Sequence, residues 1–328
     1  MLRPPPPDSL FHFPVTAGTA LLAICATAAW YMKYDVSALF MQSNWLAQPW
    51  RIVGSTLLHD GVVHLVFNLY WLWVLGSFLE QRIGPLKLGA MMLAFAAGAS
   101  LAETAFLDGG VGLSGVVYGL FGFLWVMGRR DPAGWPAVDR GTAQLFVGWF
   151  FLCILLTASD MMRIGNIAHG VGALLGVVLG LARIARRRLR PVLAGAFAVL
   201  VLASGVLASP IVRPYVSYSP RYAAELALQA ASALGDGNWQ QAARLYGQAA
   251  RVDPGTPEYW YCLHLVYSHL HQPDQARKAL QRARSLGMNT KELDGLLGPL
   301  SRPASRPASR PATQPRQLPT APWDMESP

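Results

Sequence analysis

Seven apolar segments, each close to the length of a membrane-crossing helix, follow one another between residues 15 and 212. A bilayer core takes roughly 20 helical residues to cross. Inside it only helices and closed barrels satisfy every backbone N–H and C=O. A chain of this pattern is expected to fold as an all-α, polytopic membrane bundle. Composition agrees, with 53% hydrophobic and 14% charged residues, which excludes a soluble disordered protein. The fourth segment, residues 113–128, is short. It reaches roughly 24 Å at about 1.5 Å per residue, less than the core's ~30 Å, so its first residue has to start below one membrane surface. The loop before it is then tolerated only beside protein or a watery cavity.

Charge sets the topology. Arg82, Lys87, Arg129, Arg130, Arg140, Arg183, Arg186, Arg187, Arg188 and Arg190 fall on one side of the spans, and Lys33, Arg51 and Arg163 on the other. The positive-inside rule puts the first group in the cytoplasm. An odd number of spans then leaves the chain after about Val212 outside. The same placement explains the formal charge of +9 without a nucleic-acid partner. Cys25, Cys153 and Cys262 stand far apart, with no disulfide framework and no metal-binding spacing. Residues 1–14 lack the charged-then-apolar order of a signal peptide and read as a lead outside the bilayer.

Residues 15–190 are expected to form a six-span core and 191–212 a seventh helix. From Pro220 the pattern turns water-soluble. Trp239-Gln240-Gln241-Ala242 with Tyr246 and Ala249 recurs about 34 residues later as Asp274-Gln275-Ala276 with Leu280 and Ala283. This spacing resembles tetratricopeptide repeats over residues 220–290, whose paired helices bury a shared core by stacking. A protein partner is expected for such a module. Residues 300–328, with a repeated Ser-Arg-Pro-Ala unit, cannot bury a core and are expected to be disordered.

The chemistry concentrates where Asp108-Gly109-Gly110-Val111-Gly112-Leu113 runs into an apolar helix at Ser114. A hydroxyl at a helix N-terminus sits among backbone N–H groups without helical partners, where negative charge is stabilised. Polar groups in spans are costly and usually functional. Besides Ser114, those that stand out are His64 and Asn68, four residues apart on one helix face, and His169. Gly115, Gly119 and Gly122 follow the serine, and Gly172, Gly176 and Gly180 follow the histidine. Small residues at that spacing let two backbones approach, which a serine needs to reach an imidazole. His59, one turn before His64 on another face, reads as structural. Glu103, Asp108 and Asp160 read as solvated or capping.

Together, Gly112-Leu113-Ser114-Gly115 with Tyr118, Ala168-His169 with Gly172, Trp50-Arg51, His64 with Asn68, and Glu80-Gln81-Arg82 resemble the rhomboid intramembrane serine proteases over residues 15–185. The resemblance implies a six-helix core with Ser114 as nucleophile and His169 as general base. His64, Asn68 and the Ser114 N–H would form the oxyanion hole, and Tyr118 would pack on His169. Trp50 and Arg51 would sit in a membrane-embedded first loop, and Glu80 and Arg82 would be structural. No carboxylate stands near His169 in sequence, so a dyad is expected rather than a triad.

The expected substrates are membrane-anchored proteins, with the lipid bilayer as surroundings and no cofactor. The absence of HExxH argues against a zinc hydrolase. The expected location is a multi-pass cell membrane, bacterial cytoplasmic by default, with the active site and the C-terminal module facing outside. The competing expectation is a catalytically inactive rhomboid-like scaffold that holds transmembrane clients.

Overall fold

The structure, a computed structural model, describes residues 5–43, 45–135 and 138–288. The disorder expected of residues 300–328 falls outside that range. Among the described residues the chain is helical, in the order α1 (Pro14–Tyr31), α2 (Arg51–Leu57), α3 (Val62–Trp71), a π-helical turn at Leu72–Gly76, α4 (Ser77–Ile83), α5 (Pro85–Phe106), α6 (Ser114–Arg130), α7 (Arg140–Ala158), α8 (Asn166–Ile184), α9 (Arg190–Leu207), α10 (Arg213–Val216), α11 (Pro220–Gly235), α12 (Trp239–Val252), α13 (Pro257–His269) and α14 (Pro273–Ser285).

Among the described residues, six stretches are long and apolar enough to cross a membrane: α1, the continuous run Val62–Ile83, α5, α7, α8 and α9. α6 spans 17 residues, about 26 Å at the usual rise, and is the most enclosed helix of the bundle. Residues Gly115 to Leu124 along it are all buried. α5 and α8 pack against it, and Leu75, Leu88, Phe95, Leu113, Leu120 and Leu175 are shielded around it. In lipid such packing gains dispersion rather than hydrophobic energy, since the acyl chains are as apolar as leucine. Close fit decides the arrangement.

That fit is made of backbone. A Cβ placed on Gly172 would lie 2.1 Å from the Gly115 carbonyl oxygen, and one on Gly176 would lie 2.0 Å from that of Gly119. On the α6 side, a Cβ on Gly122 would meet the Ala173 oxygen at 2.4 Å. The two glycine stripes therefore interlock, and α6 and α8 touch main chain to main chain.

Polar side chains at the helix ends and in the first connection act as staples. Glu80 accepts from the backbone N–H of Val15 and of Thr16, both at 2.9 Å, and from the Thr16 hydroxyl at 2.7 Å. It caps α1 from α4. Arg82 donates to the Gly134 carbonyl and lies over the rings of Phe78 and Trp135. Arg51 is buried and donates to the carbonyls of Ser37 and Phe40 at 2.6 and 2.8 Å, while Trp50 Nε1 donates to Ala38 at 3.2 Å. The pair pins the first connection, part of which folds as α2, a short helix that the sequence pattern did not mark.

Past α9, α11 pairs with α12 and α13 with α14 around a separate core that includes Tyr222, Leu226, Tyr246, Leu263 and Val266. The entry to this module is tied back to the bundle. Arg213 donates to the Leu107 carbonyl at 3.1 Å and lies 3.8 Å from the centre of the Tyr222 ring. The Tyr218 N–H donates to the Phe106 carbonyl at 2.8 Å, and the Ser219 hydroxyl donates to Asp108.

Candidate active site

Ser114 is the first residue of α6, with no side chain capping that helix. The chain reaches it through a loop in which Gly109 and Gly112 have φ of +80° and +109°, a region that favours glycine. At Gly112 space also excludes a side chain, because an added Cβ would lie 2.7 Å from His64 Cε1. Two hydrogen bonds strap the loop down. The Gly112 N–H donates to the Ser55 carbonyl at 3.2 Å, and the Leu113 N–H donates to His59 Nε2 at 3.3 Å.

His169 lies in the first turn of α8, buried, with its ring stacked on Tyr118 at 4.7 Å and 25°. Tyr118 and Ser114 are four residues apart on α6, hence on one face, and a helical side chain leans toward the turn before it. The imidazole is therefore on the serine's face of α6. Among the described residues no hydrogen bond joins the two side chains, and His169 Nδ1 is buried without a partner. Tyr118 is itself fixed, its hydroxyl donating to the Phe146 carbonyl at 3.0 Å.

Two groups act here beyond the sequence reading. Glu103, read as solvated or capping, is only 3% exposed, and its Oε2 accepts from the Ala168 N–H at 2.9 Å. It caps the helix that carries His169, and the solvated alternative is overturned. His59, read as lying on a different face from His64, is fully buried with its ring 4.9 Å from that of His64. Helical spacing does not apply to it, because α3 begins only at Val62. Its Nδ1 faces the Leu57 carbonyl at 3.3 Å while Nε2 accepts from Leu113, which assigns the neutral tautomer with the proton on Nδ1.

His64 hangs over Gly112, and its Nδ1 lies 2.6 Å from Asp60 Oδ1. Asp60 sits in the turn before α3. The hydrogen bond from His64 holds its carboxyl below the ordinary carboxylate range, against the opposing effect of partial burial. An ionised carboxylate only accepts, so the Nδ1 hydrogen of His64 is given to Asp60. Asn68 is buried and donates one amide hydrogen to the His64 carbonyl at 2.9 Å. An amide carries two such hydrogens, so one is left.

The serine loop, α5 and the start of α8 enclose a cavity of about 20 Å³ lined by Thr56, Ser100, Glu103, Gly112, Ser114 and Ala168, among others. A space of more than roughly 10–15 Å³ with polar partners accommodates one water molecule. The cavity thus has room for one water beside Ser114 and the first N–H groups of α6, while the side chains of His64, Asn68 and His169 do not line it.

Residues 46–186 match the family model described as the Rhomboid domain. The chain is 32% identical over 177 residues to "Rhomboid protease GlpG" of Photorhabdus laumondii subsp. laumondii, covering 51% of this chain and 61% of that protein. It is 30% identical over 178 residues to proteins of the same name from Yersinia pestis and Yersinia pseudotuberculosis, with the same coverages. This chain thus spans 61% of the length of these relatives.

Proposed function

Because residues 46–186 match the Rhomboid domain model, we propose that this chain is an intramembrane serine endopeptidase in which Ser114 is the nucleophile and His169 the general base. The observation that carries the reading is the imidazole stacked on Tyr118, one turn along the same α6 face as the serine. The glycine contacts between α6 and α8 support it, because they make the separation short enough for a short side chain.

A serine hydroxyl is a weak nucleophile until a base takes its proton. His169 accepts that proton as Oγ bonds to the scissile carbonyl carbon, and the carbonyl oxygen becomes an oxyanion. The N–H groups at the start of α6, the His64 ring and the second Asn68 amide hydrogen are the donors for it. Each well-placed donor of this kind is worth roughly 3 kcal/mol in hydrolases. The imidazolium then protonates the leaving amine as the C–N bond breaks. Water, deprotonated by His169, releases the acyl group and restores the serine. The unpartnered Nδ1 of His169 favours a dyad.

The substrates are membrane-anchored proteins whose helix is weak near the cut, because a helical peptide bond is shielded by its own hydrogen bonds and Gly or Pro weakens that shield. The excess of cations at the Arg82, Arg129 and Arg183 ends of the spans supports a cytoplasmic position for that side, with the site and the C-terminal module facing outward. Helices α11 to α14 read as a tetratricopeptide-like pair of units that recruits a protein partner. An inactive scaffold is disfavoured because both serine and histidine are present.

Cleavage of a reporter with a Gly- and Pro-containing transmembrane segment, reconstituted in liposomes, tests the reading. Activity is expected for the wild type and none for Ser114→Ala or His169→Ala. Undiminished cleavage by either variant would refute it.

A further inference from the structure

At the end of the bundle opposite Ser114, α5 and α9 begin and α8 finishes. Between these three ends runs a groove of about 670 Å³ that continues along the helices, within the roughly 300–1,000 Å³ typical of ligand sites. Its floor is apolar and includes Met91, Leu179 and Phe197, and its rim carries Lys87, Arg183 and Arg190. The inner end is closed where Phe197 meets Phe95 edge to face, 6.3 Å between ring centres.

The rim is electrostatically one-sided. Lys87, Arg183 and Arg190 are exposed and have no hydrogen-bond or ion-pair partner among the described residues. The adjoining segment from Leu181 to Val192 contains five arginines and no acidic residue. Both α5 and α9 start without a side-chain cap, so the positive ends of two long helices and their free N–H groups add to the three cations. An apolar channel in the membrane with cations at its mouth at the interface matches one kind of molecule, a lipid with a negative head group.

We propose that this groove binds one anionic phospholipid, its phosphodiester held among Lys87, Arg183 and Arg190 and an acyl chain lying on Met91, Leu179 and Phe197. Free phosphate has no use for the floor, and a second copy of the chain would bring the same cations face to face.

The test uses the full chain in nanodiscs of phosphatidylcholine and phosphatidylglycerol in equal amounts, extracted in mild detergent and weighed by native mass spectrometry. One retained phosphatidylglycerol per chain is expected. The variant Lys87→Gln/Arg183→Gln/Arg190→Gln should weaken its retention on the order of 100-fold, from about fivefold per interfacial cation. Ala94→Trp, which fills the groove and leaves every charge in place, should do the same. Arg186→Gln/Arg187→Gln/Arg188→Gln, an equal charge loss beside the groove, should leave retention unchanged. Equal retention of both lipids, equal loss in the two triple variants, displacement by millimolar inorganic phosphate, or a dimer occupying the surface would each overturn the proposal. Should the groove triple variant fail to fold, wild-type lipid selectivity and Ala94→Trp still decide it.

Discussion

Glu103 Oε2 accepts the backbone N–H of Ala168 at 2.9 Å, so a carboxylate on α5 holds the residue directly before His169. A side chain accepting from a helix's first N–H groups is worth roughly 0.5–2 kcal/mol, and here the capped turn carries His169, the proposed base. Glu103→Ala is expected to lower thermal stability by about that amount and to reduce kcat at least tenfold. Glu103→Gln, which keeps an accepting oxygen, should recover most of both. Parallel thermal unfolding and reporter cleavage check this, and a Gln variant as poor as Ala would show that the charge, not the cap, matters.

The Gly172 contact predicts a sharper loss. A methyl there would stand 2.1 Å from the Gly115 oxygen, and backbone cannot turn aside as a side chain can. Gly172→Ala must part α6 from α8, at a cost of roughly 1–3 kcal/mol for overpacking and with the imidazole moved off the serine. Cleavage should vanish while the protein still enters membranes. Gly148→Ala on α7, where nothing lies within 4 Å, should be neutral in the same assay.

Asp60 and His64 predict a pH signature. The carboxyl of Asp60 is held low by the hydrogen bond from His64, so it stays ionised to lower pH than an ordinary carboxyl does. The contribution of the pair persists with it and is lost only as pH drops through the lowered value. Asp60→Asn removes the carboxylate at every pH. Its kcat should fall roughly tenfold or more near neutrality, on the scale of ~1.5–3 kcal/mol for a charged hydrogen bond, with KM little changed. The deficit against wild type should narrow in acid, as kcat profiles over pH would show.

Arg213 and Asp108 predict coupling between the C-terminal module and the serine loop. Arg213 is buried against Tyr222 and holds the Leu107 carbonyl, and Asp108 takes the Ser219 hydroxyl hydrogen. Removing one partner leaves buried polar groups unpaired, about 1–3 kcal/mol each. Arg213→Ala should therefore raise hydrogen exchange in residues 107–113 as well as in α11. Exchange confined to the module would argue against the coupling.

The spans and the glycine stripes were legible because both are local rules: a membrane fixes helix length, and small residues every three or four positions mark a close contact. Ser114 and His169 were singled out by the same logic, as polar groups placed where lipid would reject them. Glu103 was less legible because its partner is a backbone N–H 65 residues away, which leaves no mark in the sequence. His59 was placed by extending helical periodicity three residues past the real start of α3 at Val62. The same limit hid α2, whose seven residues are too few to set up a periodic pattern.

The interlocked glycines of α6 and α8 carry a mechanical consequence. Where side chains set a distance, rotamer hopping softens it as temperature rises. Here two main chains bear directly on each other, a hard stop with no rotamers to relax. The serine and imidazole should hold their spacing almost unchanged with heating and then lose it all at once, when the two rods come apart.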